Sequence, residues 1–272
     1  GRGGSDTTAV ALSAALGAEV CEIYTDVDGV FTADPRVVPR AQKLEFATFE
    51  EMLELAAAGA KVVNVRAVEF ARRHGVTLHV RSSFTEELGT FISHQPEGDN
   101  VEEPIISGVA GDTSEAKITV VGVPDIPGKA AEIFTIVAGA GANIDMIVQN
   151  VSLHETGRTD ISFTLPREDG QRAMQALGAA QKESGFGDLI FDDGIGRLSV
   201  VGAGMRTNAG VSAQLFTALS GAGINIEMIS TSEIRISVIM RADILADAVR
   251  AVHHAFGLDG DVDATVYAGT GR

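Results

Sequence analysis

Ala140-Gly141-Ala142-Asn143-Ile144-Asp145-Met146-Ile147 is followed, at an offset of 82, by Ala222-Gly223-Ile224-Asn225-Ile226-Glu227-Met228-Ile229. The same offset relates Phe134-Thr135 to Phe216-Thr217 and Gly128 to Gly210, whereas Val120-Val121-Gly122 maps onto Val200-Val201-Gly202 at an offset of 80. The second copy therefore carries two extra residues in its first loop. Apolar periodicity predicts, for the first copy, a strand at 117–123, a loop at 124–128, a helix at 129–140, strands at 143–151 and 158–165, a helix at 169–183 and a short strand at 189–192. That order is βαββαβ. In the second copy it predicts a strand at 197–201, a helix at 210–222, strands at 225–229 and 234–240, and a helix at 243–256. That last helix would turn Leu245, Ala248, Val249, Val252 and Phe256 inward, ahead of a closing strand at 265–267. A further β-like run at 105–109 has no place in the first copy. It is free to pair with the second, which would interleave the two.

Each copy carries polar side chains where a small ligand can be held. A free amino acid needs donors for its carboxylate, acceptors for its ammonium group and a match for its side chain. Gly128 and Gly210 open helices whose N–H groups can take a carboxylate. Asp125 and Asp145 bring negative charge near the first of these, and Asn143, Gln149 and Asn225 bring amides that donate and accept. By pattern alone, Asn143 and Asn225 serve equally well as caps of the turns between helix and strand.

The chain has 272 residues, 45 % of them hydrophobic, enough for two or three compact units with real cores. Its 21 basic and 37 acidic side chains leave a net charge of −16. Such a charge repels phosphate backbones and anionic lipid, so neither nucleic acid nor a membrane is expected as a partner. A single cysteine, Cys21, excludes an internal disulfide, no apolar run is long enough to span a bilayer, and no secretion signal is recognisable. A reducing cytoplasm is the expected compartment. Lone histidines, and the neighbours His253-His254 about 100° apart on a helix, give no metal-ligand pattern, so no protein-bound metal is expected.

The first ninety residues read as α/β. Gly1 to Ser5 is glycine-rich, and Ser5-Asp6 are cap-type residues before a helical run at 7–16 closed by Gly17. This is either a tight turn before a helix or an anion site, with Arg2 adding positive charge. A β-type run at 20–24 leads into Thr25-Asp26-Val27-Asp28-Gly29-Val30-Phe31. Aspartates at the carboxyl end of a strand suit metal-phosphate or ribose contacts, or else form a plain Asp-Gly turn. Arg36, Arg40 and Lys43 follow as the one clearly cationic stretch nearby, either facing phosphates or solvated. Thr48-Phe49-Glu50-Glu51 is a capping box opening a helix that Gly59 ends, with Lys61 just beyond. A second helical pattern reaches about Arg73, and Val76, Leu78 and Val80 alternate as a strand. Residues 93–103, with a proline, a glycine and several acids, read as a linker.

Taken together, Gly1-Arg2-Gly3-Gly4-Ser5-Asp6, Thr25-Asp26-Val27-Asp28-Gly29-Val30, Asp34-Pro35-Arg36 and Gly59-Ala60-Lys61-Val62 resemble the later motifs of the aspartate kinases, and the repeat resembles their paired ACT regulatory domains. The resemblance covers essentially the whole chain. It implies a partial amino acid kinase fold at 1–92, a linker at 93–103, a ferredoxin-like ACT domain at 116–193 and a second formed by 104–112 with 194–272. It further implies phosphorylation of aspartate by ATP, with Mg2+ in the intact enzyme, at the entry to lysine, threonine and methionine synthesis, under feedback by lysine, threonine or both. By position, Arg2, Ser5 and Asp6 resemble the aspartate-side loop, and Thr25, Asp26, Phe31, Arg36 and Lys61 the nucleotide side. Phe31 stands where many members have tyrosine, and Asp28 is given no role. One effector site resembles Asp125, Gly128, Ala130, Gln149, Asn225 and Ile226, suited to threonine. A second resembles Asp145, Ser212, Ser232 and Glu233, with carboxylates for lysine's ammonium group.

Each set draws on both copies, which implies sites formed where the first copy of one chain meets the second copy of another. The partners implied are therefore a homodimer through the ACT domains, or a hetero-oligomer with a full-length kinase chain. The family's opening Lys-Phe-Gly-Gly-type motif and an upstream glutamate have no counterpart in these residues. The chain by itself is thus expected to be inactive and to hold no cofactor. The alternatives are half of a kinase completed by another chain, or a dimerisation module with vestigial pockets.

Overall fold

The computed structural model describes residues 4–94, 105–150 and 157–267. The chain divides into two compact units, one of Gly1–Gly111, Leu198–Val238 and Ile244–Arg272, the other of Asp112–Arg197 and Ile239–Asp243. In the first unit, α1 (Gly4–Leu16) starts earlier than its sequence suggests. Ser5 and Asp6 therefore lie inside its first turn and do not cap it. The acid is favourable there because it meets the positive end of the helix dipole. After β1 (Val20–Thr25) and β2 (Phe46–Thr48), the expected capping box opens α2 (Phe49–Ala57). Asn64 caps α3 (Val65–His74), and Gly75, at φ 66°, ends it in the left-handed conformation behind Arg72, Arg73 and His74. β3 (Thr77–Ser82) and β4 (Thr90–Ser93) complete a sheet of order β1-β3-β4-β2, with β1 parallel to β3, β3 antiparallel to β4 and β4 parallel to β2. Phe49, Met52, Leu55, Val68, Leu78, Val80 and Ile92 fill its core. Ser93, expected to begin the linker, is the last residue of β4, and 95–104 lie outside the described residues. β5 (Gly108–Asp112) then enters a different sheet.

The second unit is the first repeat, in the expected βαββαβ order: β6 (Glu115–Pro124), α4 (Lys129–Gly139), β7 (Ile147–Gln149), β8 (Arg158–Pro166), α5 (Arg167–Ser184) and β9 (Asp188–Asp192). Its antiparallel sheet runs β7-β8-β6-β9. Ile118, Ile133, Val137, Phe163, Leu165 and Leu177 are fully buried between the sheet and the two helices, and Phe134 meets Phe163 edge-on at 5.7 Å. β7 is shorter than the strand expected at 143–151. Ahead of it, Asp145 N–H donates to Thr164 O and Thr164 N–H to Met146 O, both at 3.0 Å, while Met146 N–H turns to the Thr164 hydroxyl at 3.2 Å; Val151 lies outside the described residues.

The second repeat supplies β10 (Ile195–Val201), α6 (Val211–Gly221), β11 (Met228–Thr231), β12 (Arg235–Arg241) and α7 (Leu245–Ala255). The order of its sheet is β11-β12-β10-β5. β5, which precedes the first repeat, thus stands beside β10 where β9 stands beside β6. The interleaving left open by the run at 105–109 is realised, three residues later than the sequence pattern placed it. With that edge taken, the closing strand expected at 265–267 does not form, and Val266 makes an isolated antiparallel bridge to Val27. A 3-10 turn at Ala242–Ile244 precedes α7, which buries Leu245, Ala248, Val249 and Val252 as expected but only half-buries Phe256.

Candidate functional site

The loop after β1 gathers the nucleotide-side residues. Asp26 accepts from the Thr25 hydroxyl at 3.1 Å and pairs with the Arg36 guanidinium at 3.1 Å, its carboxylate being largely covered while Arg36 stays 42 % exposed. Arg36 is aimed by a turn in which its own N–H donates to Asp34 Oδ1 at 2.9 Å. Gly29 makes the reversal possible, since a Cβ there would stand 2.5 Å from the Thr90 hydroxyl that receives Val30 N–H. Phe31 bridges to Lys43, whose ammonium group pairs with Glu87 at 3.2 Å. The structure therefore brings Thr25, Asp26 and Arg36 into one cluster. Lys61 is exposed just beyond Gly59, itself at φ 114°. On the aspartate side, the Ser5 hydroxyl donates to Asp6 at 3.3 Å in the first turn of α1, and Arg2 lies outside the described residues.

Periodicity gave no hint of a chain segment that returns to this loop. After α7, the tail pairs along it: Asp259 bridges to Ala41, Gly260 N–H donates to Arg40 O at 2.6 Å, Ala264 N–H to Pro39 O at 2.7 Å and Tyr267 N–H to Asp26 O at 2.9 Å. A cleft of about 470 Å³ lies between the tail and Asp28, Phe31, Gln42 and Lys43. His253 and His254 anchor the tail. Although 100° apart on the helix, both reach Asp259 through Nδ1, at 3.0 and 2.6 Å. Their convergence on one carboxylate arises because Asp259 stands on a separate segment that both rings can meet. The fully buried His253 also contacts the Thr32 hydroxyl through Nε2 at 2.8 Å. Since Thr32 Oγ1 already accepts from Gln42 N–H at 3.0 Å, its own proton is available for Nε2, and the ring is satisfied as the neutral Nδ1–H tautomer. Burial accordingly pushes the His253 pKa below its usual range, against the pull of Asp259.

The effector residues line exposed edges and helix starts. In the second unit, Gly128 opens α4 at φ 98° with Ala130 in the first turn, Asp125 is exposed with its N–H on Gly157 O at 2.9 Å, and Gln149 ends the edge strand β7. In the first unit, Asn225 and Ile226 precede the edge strand β11, and Ser212 is exposed at the start of α6. Ser232 and Glu233 form the β11–β12 turn, where Ser232 N–H donates to Arg235 O at 2.8 Å and Glu233 pairs with Arg206 at 3.0 Å. Ile147 and Ile229, equivalent in the repeat, are both exposed on those edge strands, at 51 % and 46 %.

Asp145 is engaged inside its own unit. It pairs with Arg197, a guanidinium only 3 % exposed, which also meets Glu115 at 2.8 Å and Asp112 at 3.7 Å. Burial pushes the Glu115 carboxyl above its ordinary range, opposed by Arg197 and reinforced by Asp145 and Asp112. Sequence reading missed this cluster, although one signal was present: Arg197 is the lone charge in the fully buried β10.

Fold and repeat together define a class, an amino acid kinase portion joined to paired ACT domains. The sequence model of the amino acid kinase family matches residues 1–82, and that of the ACT domain matches 118–181 and 198–256. The chain is 59 % identical over 272 residues to the aspartokinase of Mycobacterium tuberculosis (strain ATCC 25618 / H37Rv) and 57 % identical to that of Corynebacterium glutamicum. It spans 65 % of the length of each. Among solved structures it resembles E. coli aspartokinase III in complex with aspartate and ADP, with a TM-score of 0.80 and 26 % identity over 94 % of this chain and 56 % of that one. It also resembles a chain from the structure of aspartokinase alpha and beta subunits, with a TM-score of 0.53 and 43 % identity, covering 56 % of this chain and 99 % of that one. The chain belongs to the aspartate kinase family.

Proposed function

We propose that these residues form the nucleotide-side portion of an aspartate kinase catalytic domain together with its amino-acid-sensing region. The enzyme would pass the γ-phosphoryl group of ATP, bound with Mg2+, to the side-chain carboxylate of L-aspartate, giving 4-phospho-L-aspartate. Phosphoryl transfer depends on positioning and charge more than on covalent chemistry. In this reading Arg36 and Lys61 face the phosphates, Phe31 offers an apolar face to the base, and Arg2, Ser5 and Asp6 at the start of α1 hold the acceptor. Lysine, threonine or both act as feedback effectors, on sites completed where the first repeat of one chain meets the second repeat of another. The observation that carries the sensing role is the identical layout of the sheets β7-β8-β6-β9 and β11-β12-β10-β5, each with its edge strand and helix start open to solvent. A solved E. coli aspartokinase III complex with lysine and aspartate, 26 % identical to this chain, supports it.

Calorimetric titration with L-lysine and L-threonine tests the sensing role. Heat from at least one is expected, with a rise in melting temperature at saturation equivalent to about 2.7 kcal/mol at a hundredfold excess over Kd. Absence of both signals with both amino acids would leave the repeat as a dimerisation module. A second reading, a kinase half completed by further kinase-domain residues, is favoured by β1, an edge strand exposing Val20 and Tyr24 beside α1, which exposes Leu12 and Leu16. The 272 residues assayed by themselves are expected to give no ATP- and aspartate-dependent turnover. Addition of a chain carrying the family's opening motifs should restore it, and turnover without that chain overturns the expectation.

A further inference from the structure

The tail that returns to the Asp26–Asp28 loop carries, at Tyr267, a residue with two separate grips on it. Tyr267 N–H donates to Asp26 O at 2.9 Å, and its hydroxyl donates to Asp28 Oδ2, also at 2.9 Å. The other oxygen of Asp28 receives the Thr85 hydroxyl at 2.7 Å, and the Tyr267 ring stacks on Phe84, 5.8 Å between centroids and 22° between planes. Asp28 is therefore clamped by two hydroxyls, while Asp26, two residues away, is aimed by Arg36 and by the carbonyl contact of its own backbone. At its other end the same tail is pinned on α7, where His253 and His254 share Asp259. Asp26 is fixed from within the loop, by Thr25 and Arg36, whereas one of the two hydroxyls on Asp28 comes from a segment more than two hundred residues away in sequence.

We propose that Tyr267 is a positioning residue for the loop that carries Thr25, Asp26 and Arg36, which it holds through the Asp28 carboxylate and the Asp26 carbonyl, and that the tail from Gly257 to Tyr267 makes the second repeat part of the ATP-binding geometry. This rests on the reading of Thr25, Asp26 and Arg36 as the nucleotide side. Tyr267 touches the loop and not the reacting groups, so its loss should affect how ATP is held more than the chemical step.

The test uses two readouts. The chain has two tyrosines and no tryptophan. In Tyr24→Phe protein the emission therefore reports Tyr267 alone, and a phenol bound to a carboxylate is quenched. Asp28→Asn is expected to brighten it. In a chain of the relatives' full length carrying this sequence, Tyr267→Phe keeps the stack on Phe84 and removes only the hydroxyl. Loss of one charge-assisted hydrogen bond should raise KM for ATP about tenfold, with kcat within about a factor of two and KM for aspartate unchanged. Asp28→Asn, which weakens the same contact from the other side, carries the same expectation if the first variant folds poorly. Unchanged KM for ATP in an otherwise active enzyme overturns the inference alone. A wild-type enzyme that transfers no phosphoryl group to aspartate overturns the functional reading and this inference with it.

Discussion

Arg197→Met is expected to lower the stability of the chain by about 3–5 kcal/mol at pH 7, because it removes the one guanidinium in a cluster of three carboxylates and leaves their charge uncompensated. The cluster lies within the second compact unit, with Arg197 almost wholly buried. Equilibrium urea unfolding reads the loss as a lower midpoint at unchanged slope. The pH dependence follows from Glu115, whose folded pKa is raised. A carboxyl of this kind stabilises the fold when protonated, below its unfolded value, and that contribution is lost as pH rises through the folded value. Acidification from neutral pH should therefore shrink the deficit of the methionine variant. Glu115→Gln should behave in the opposite sense. It removes a charge that burial disfavours and leaves Arg197 with Asp112 and Asp145, so a change of no more than about 1 kcal/mol is expected. An equal loss from both variants would mean that packing, and not charge balance, holds this region together.

Glu51→Ala is the second large effect, about 3 kcal/mol. Its carboxylate closes the capping box of α2, accepting from Thr48 N–H at 3.0 Å and the Thr48 hydroxyl at 2.8 Å. It does more than cap a helix. The other oxygen receives the Ser107 hydroxyl and, at 3.2 Å, Ala203 N–H, so one buried side chain joins α2 to the segment before β5 and to the turn after β10. Truncation strands buried donors on three segments. Glu51→Gln keeps one acceptor oxygen and puts an NH2 donor where the other oxygen accepted, so it should recover only part of the loss. A loss below about 1 kcal/mol for the alanine variant, the size of an isolated cap, would show that the contacts to Ser107 and Ala203 contribute nothing. Beside it, Glu54 pairs with Arg235 at 3.0 Å, on the strand that follows the Ser232-Glu233 turn. The kinase helix and the second repeat thus share a charged joint within one compact unit.

The sequence by itself determined the elements of the two repeats and most of those in the first ninety residues, but not the short strands β2 and β4. The 82-residue repeat, the capping box at Thr48–Glu51 and the glycine stops are local signals. They act through hydrogen bonds and periodicity within a few residues, so they survive without knowledge of the fold. The cluster of Thr25, Asp26 and Arg36 was legible for the same reason, because a strand end and a tight turn place them together. What only the tertiary structure decided are pairings between distant segments. β5 takes the edge beside β10 and the closing strand expected at 265–267 does not form; both runs have strand character, and only the tertiary pairing chooses between them. Asp145, read as a ligand for an ammonium group, lies on Arg197, because a buried guanidinium attracts every carboxylate within reach and burial is not visible in a linear pattern. Tyr267, expected in a closing strand, and Asp259 are made by the fold into the anchor points of a tail that reaches the Asp26–Asp28 loop.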